Sequence, residues 1–180
     1  MRRLSLAVIK KMKKSTILIL ILTMLTACRR EKNKLGLIDS WYNSEGKLEG
    51  MTTLIRGRDS LKNIYETGCY TTRIEIEWTF SDRNKTGMPS KTESILMEKF
   101  ENALIPSLEK DLQSILVNVF TWNNKRTWFF YTTSVDEFKA RLESTLKKTN
   151  MKLPLKTTTI NDSHWTEYKS ILEGSGLKME

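Results

Sequence analysis

The apolar run Ile17-Leu-Ile-Leu-Ile-Leu22, continued to Leu25, constrains this chain most, because it follows a basic, acid-free opening and is not repeated later. The opening carries Arg2, Arg3, Lys10, Lys11, Lys13 and Lys14. From Ile17 to Leu25 there are nine residues, far short of the roughly 20 that a helix needs to cross a bilayer. A basic segment followed by a short apolar one is the order of a secretory signal. It predicts that residues 1–27 are removed and that the folded part lies beyond them, without a spanning anchor.

The run closes on Leu25-Thr26-Ala27-Cys28, which resembles the lipobox of bacterial lipoproteins, where a small residue precedes a cysteine that is lipidated and then exposed by cleavage. The resemblance implies that Cys28 becomes the first mature residue and binds the membrane through its lipid, a diacylglyceryl thioether usually joined by a third acyl chain. One chain holds a protein only marginally, whereas two or more anchor it. Arg29 stands where lipoproteins of the enteric inner membrane carry aspartate, which favours an outer-membrane address facing the periplasm. Met12 with Lys13-Lys14 would make a compact signal by itself, and a start at Met1 or at Met12 gives the same mature chain.

The formal charge of +9 invites a nucleic-acid reading, but six of the 30 basic residues precede Cys28 and all 21 acids follow it. The mature chain therefore carries 24 bases and 21 acids, a net +3. That removes most of the electrostatic case for a polyanion, and no nucleic-acid partner is expected. Residues 28–36, with Arg29-Arg30-Glu31-Lys32-Asn33-Lys34, read as a lipidated, solvated tether beside the headgroups. The remainder suits one domain over 37–173 and a frayed tail over 174–180. With Cys28 given to lipid, Cys69 between Gly68 and Tyr70 reads as a small packed residue.

After Trp41-Tyr42 and turns at Gly46 and Gly50, Met51 to Ile55 is β-prone, and a helical turn fits Leu61 to Tyr65. Ile74, Ile76, Trp78 and Phe80 then alternate with Arg73, Glu75, Glu77 and Thr79, the period-two pattern of a strand with one wet face. Leu96, Phe100, Ala103, Leu104 and Leu108 recur at helical spacing, with Pro106 expected to kink or split the helix. Strands over Ile115–Trp122 and Thr127–Thr133 flank Asn123-Asn124, and asparagine tolerates the left-handed backbone of tight hairpins. Ser134 and Glu137 have capping-box spacing ahead of Val135, Phe138, Leu142 and Leu146. Leu155–Ile160 suggests a last strand, and Asp162 can cap a final helix with Trp165, Tyr168 and Leu172 on one face. The order strand, helix, strand, strand, helix, strand predicts an α+β fold, a ferredoxin-like two-layer sandwich with helices on one face of an antiparallel sheet, plus an N-terminal β extension and a C-terminal helix.

Several of these pieces together are similar to the bacterial domain-of-unknown-function family 695. They are Trp41-Tyr42 with Gly46, the Gly87-Met-Pro89 turn before a helix holding Glu98 and Glu101, the strand Trp128-Phe-Phe-Tyr131, and above all Asp162-Ser-His-Trp165-Thr-Glu-Tyr168. The resemblance runs from about residue 41 to 172. It brings no catalytic residues, because the family has no established activity.

The residue inventory is poor in catalytic sets. His164, the one histidine, falls in the first turn of a helix, where an exposed residue is the ordinary outcome, and no nucleophile elbow surrounds a serine. One histidine and one cysteine beyond Cys28 do not make a zinc site, and no glycine-rich turn opens a helix to cradle phosphate. Glu75 and Glu77 project from one strand face, and a carboxylate pair is what glycoside hydrolysis uses, but acids on such a face are ordinarily surface groups. Neither cofactor nor metal is expected. Asp162, Trp165 and Tyr168 read as structural. Phe120, Trp122, Phe129 and Tyr131 put aromatics on both faces of the hairpin, so one face is either a binding platform or is covered by residues 37–66, and cover is favoured. The reading is a non-enzymatic binding module for an envelope protein or other envelope component, with an envelope hydrolase as the alternative.

Overall fold

The computed structural model describes residue 28, residues 35–81 and residues 86–179. The expected signal, residues 1–27, and the tether residues 29–34 lie outside the described residues. The chain divides into two compact units, Met1–Leu35 and Gly36–Glu180.

In the second unit, Trp41–Leu48 (β1) and Met51–Arg58 (β2) pair across Glu49-Gly50, whose φ angles are 53° and 79°. Two positive φ values give a turn whose twist suits a hairpin. Gly46 lies inside β1 opposite Thr53, so the turn expected there is a strand position. Lys62–Tyr65 (α1) is one helical turn. Thr72–Thr79 (β3) and Lys91–Leu108 (α2) follow. Ser114–Trp122 (β4) returns through Asn123-Asn124, with φ 47° and 61°, into Lys125–Thr132 (β5). Val135–Thr149 (α3), Leu155–Asn161 (β6) and Thr166–Gly174 (α4) complete the unit. All six strands form one antiparallel sheet in the order β1-β2-β4-β5-β3-β6, so the architecture is mixed α+β.

Local chemistry sets the helix ends. Ser90 accepts the Glu93 amide while the Glu93 carboxylate accepts the Ser90 amide, a complete capping box at the start of α2. The box expected at Ser134 is half made. Ser134 accepts from the Glu137 amide, but the Glu137 carboxylate turns to Arg141 Nε at 2.7 Å. Pro106 does not split α2, which runs unbroken from Lys91 to Leu108 with Pro106 in its last turn. Beyond Gly174 the Leu177 amide still donates to Leu172 O at 2.9 Å, so order persists into the stretch expected to fray.

One sheet face packs on α2 and α3. Ile74, Ile76, Trp78, Trp128 and Phe130 meet Met97, Phe100, Leu104, Leu108, Phe138 and Leu142 there. Met97 replaces the expected Leu96, which is 40% exposed. Three successive spacings of four drift by about 120° around a 3.6-residue helix, which carries Leu96 off the stripe. On the opposite face Ile115, Phe129 and Tyr131 are buried, as are Leu61 and Ile64 around α1 and Trp165, Tyr168 and Leu172 around α4. The cover expected from residues 37–66 is therefore shared: β1 and β2 extend the sheet past β4, while α1 and α4 supply the covering side chains.

Gly57 stands where a side chain would not fit. A Cβ there would lie 2.1 Å from Asn118 Oδ1 and 2.6 Å from the Tyr42 ring. The Tyr42 hydroxyl donates to the same Asn118 oxygen at 3.0 Å, across the space that the glycine leaves.

Cys69 is buried and, contrary to the lone packed thiol expected, is disulfide-bonded; Cys28 is also in the disulfide-bonded state. No helix among the described residues is long and apolar enough to cross a membrane.

Candidate functional site

Strand register assembles a cleft on the α2 side of the sheet. Asn43 and Glu45 on β1 stand opposite Arg56 and Leu54 on β2. Those two in turn stand opposite Val119 and Thr121 on β4, and Thr121 is opposite Arg126 on β5. Opposed residues share a face, so these seven side chains belong together. With Glu98 and Glu101 of α2 they line a hollow of about 500 Å³. A second hollow of about 420 Å³ shares Arg56 and Glu101 and is also lined by Leu37, Trp41, Ile105 and Glu109.

The charges in the cleft are unevenly satisfied. Arg56 pairs with Glu101 Oε1, and Glu101 Oε2 accepts from the buried Trp128 indole at 2.7 Å. Arg126 donates through Nε to Thr121 Oγ1 at 2.9 Å and makes no ion pair among the described residues. Burial lowers the Arg126 pKa, Glu101 works against that, and the charge of Arg56 adds to the lowering. Glu45 and Glu98 are exposed at the rim without ion pairs among the described residues.

Arg58 closes the inner end of this region. Its guanidinium is buried against Glu109, with Nη2 3.1 Å from Oε2, and Nη1 donates to Leu116 O at 3.1 Å. The Trp41 ring lies 4.5 Å from the Arg58 guanidinium and 4.9 Å from that of Arg56.

The Asp162, Trp165 and Tyr168 set lies on the other face and is closed. Asp162 Oδ2 accepts from the Tyr131 hydroxyl at 2.6 Å and from Arg73 Nη1 at 3.3 Å, and Oδ1 accepts from the Thr166 amide at 2.8 Å. Burial pushes the Asp162 pKa up, but the Tyr131 and backbone donors with the Arg73 charge outweigh it and hold it below the usual value. Burial, reinforced by Asp162, pushes the Tyr131 hydroxyl far up. Trp165 Nε1 donates to Tyr70 O at 2.8 Å, and Tyr168 donates to Arg58 O at 2.7 Å.

A family model, described as a family of unknown function (DUF695), matches residues 39–173. The chain belongs to DUF695. Comparisons with curated proteins and with solved structures find no match. In this DUF695 domain, the segment from Asp162 to Tyr168 fastens α4 to the sheet.

Of the four hairpin aromatics, Phe129 and Tyr131 are buried, while Phe120 and Trp122 are half-buried. The Trp122 indole donates to Leu48 O at 3.1 Å. They do not form one open platform, because α4 and the residues around α1 occupy the Tyr131 side. His164 is exposed and lines neither hollow. Glu75 pairs with Arg73 at 2.9 Å and Glu77 with Lys125 at 3.2 Å, so the two acids are engaged separately. No group of residues fit to hold a metal occurs among the described residues.

Sequence reasoning passed over the DUF695 cleft itself. Arg56, Arg58 and Arg126 drew no functional reading from the sequence. The available signal was their spacing: two arginines two apart on a β-prone segment must share a face.

Proposed function

We propose that this protein is a lipid-anchored, non-enzymatic binding module of the bacterial cell envelope, and that the cleft between the N-terminal hairpin and α2 is where it binds. The observation that carries the reading is the open cleft, with Arg126 and two rim carboxylates lacking ion pairs among the described residues. Groups left in that state are available to a ligand, whereas the Asp162 set is committed to protein partners. Strand order β4-β5-β3-β6, with α2 and α3 in one core, supports a ferredoxin-like sandwich that the β1–β2 hairpin extends. An outer-membrane address follows from Arg29 after the lipobox.

Lipidation and the disulfide state of Cys28 exclude each other, since the sulfur has one bond to give beyond Cβ. Growth with a fatty-acid analogue should label the wild type and not Cys28→Ser, and the mass of the mature protein should show the thioether. Label retained by the mutant, or a mature mass without lipid, would end the anchoring reading. Crosslinking and pull-down from intact envelopes test the binding reading. Capture should be lost on Leu54→Arg or Glu98→Lys and kept on His164→Ala. Capture indifferent to the cleft variants would remove the cleft, and loss on His164→Ala in a stable protein would favour an envelope hydrolase.

A further inference from the structure

We propose that the cleft between β1–β2 and α2 holds a small zwitterion of the amino-acid or short-peptide kind, its carboxylate received by Arg126 and its ammonium by Glu45 and Glu98. This rests on the reading of that cleft as the binding site and names the class of ligand.

The guanidinium supplies the first half. Arginine keeps its charge in proteins and offers a planar fork that matches a carboxylate in two parallel hydrogen bonds. Arg126 uses only Nε internally, on Thr121 Oγ1, and its side chain lines the cleft. Its two remaining nitrogens make no hydrogen bond to a carboxylate among the described residues, although the Glu101 charge acts on the guanidinium. Arg56 lines the same hollow and adds positive potential, although its own pairing with Glu101 partly neutralises it.

The rim supplies the second half. Once Arg56 and Glu101 are set against each other, one positive group, Arg126, and two negative ones, Glu45 and Glu98, remain among the described residues that line the cleft. A multiply charged anion such as phosphate gains at Arg126 but is repelled at the rim. A simple cation gains at the rim but meets Arg126 and Arg56. A molecule carrying one carboxylate and one ammonium satisfies both. Leu54 and Val119 between the charged groups offer apolar surface to a small side chain. The volume, about 500 Å³, lies within the roughly 300–1,000 Å³ of small-ligand sites.

The test is calorimetric titration of the full-length protein in detergent with four probes: alanyl-alanine, alanyl-alanine amide, N-acetyl-alanyl-alanine and inorganic phosphate. Alanyl-alanine should bind at least about tenfold more tightly than either blocked peptide, and phosphate should not compete with it. Arg126→Gln should erase the preference over the amide, and Glu45→Gln with Glu98→Gln should erase the preference over the acetylated form. Arg126→Lys, which keeps the charge without the fork, should fall between wild type and Arg126→Gln, and guards against a folding defect in the latter. Equal binding of the acid and the amide, tighter binding of phosphate, or no binding of any probe overturns the proposal. If the probes fail while envelope capture still depends on Leu54 and Glu98, the ligand class is wrong and the binding module stands. If capture is also indifferent to the cleft, both readings fall.

Discussion

The indole of Trp165 lies flat on the ring of Tyr131, with centroids 4.1 Å apart and planes 14° from parallel. Tyr65, Tyr70 and Tyr168 meet the same indole edge-on. Removing it with Trp165→Ala should cost about 3–5 kcal/mol, a large share of the roughly 5–15 kcal/mol by which a domain is stable. Thermal unfolding of the full chain in detergent should show a much lower midpoint. A ligand-contacting tryptophan would leave the midpoint near wild type and lose binding, which would contradict the docking role.

Gly57→Ala places a methyl group 2.1 Å from Asn118 Oδ1, so Tyr42 and Asn118 must separate. Overpacking of this kind costs about 1–3 kcal/mol. Urea unfolding should register the loss. Combining it with Asn118→Ala should recover part of it, and a neutral Gly57→Ala would show that the Tyr42 and Asn118 contact is not formed as described.

Asp162 makes stability depend on acid pH. Its folded pKa lies below the ordinary value despite burial, because Tyr131, the Thr166 and Glu167 amides and Arg73 all favour the carboxylate. The stabilisation is therefore whole above the unfolded value, about 3.9, and is lost as pH falls through the folded value. Asp162→Asn should lower stability near neutrality by about 1.5–3 kcal/mol and flatten the acid limb of the urea midpoint against pH. An unchanged acid limb would count against this network.

At the alkaline end the sign reverses. Burial, with the charge of Asp59 adding to it, pushes the Tyr42 hydroxyl up to about 12, and burial also raises Tyr70 and Tyr168. The neutral phenols belong to the fold, so stability is intact below the ordinary tyrosine value of about 10 and declines as pH climbs from there toward 12. Phenolate absorbance should rise late and together with unfolding. An early rise from a folded protein would mean that these hydroxyls are open to water.

The fold was more legible than the site. Period-two alternation in β3, the Asn123-Asn124 turn and the stripe through Phe100, Leu104 and Leu108 are local signals, and each appears in the structure where the chain suggested it. Where two stripes compete, as with Leu96 and Met97, only the drift of the helix decides. Which helix covers which face is a long-range fact: nothing near Tyr131 in sequence announces Trp165 as its cover. The cleft was harder still, since Asn43, Arg56, Glu98 and Arg126 come together only through the pairing of four strands and a helix. The one local clue is the pair of arginines, Arg56 and Arg58, alternating along β2.

Arg58 is gripped from both sides of the sheet, by Glu109 at its guanidinium and by the Tyr168 hydroxyl at its carbonyl. The hairpin is thus bolted at that end, while the Trp122 indole on Leu48 O ties the Glu49-Gly50 end to β4. Between the two ties Leu54 and Arg56 are held in register with Thr121 and Val119, so the floor of the cleft is shaped by the sheet itself and not by its lining side chains alone.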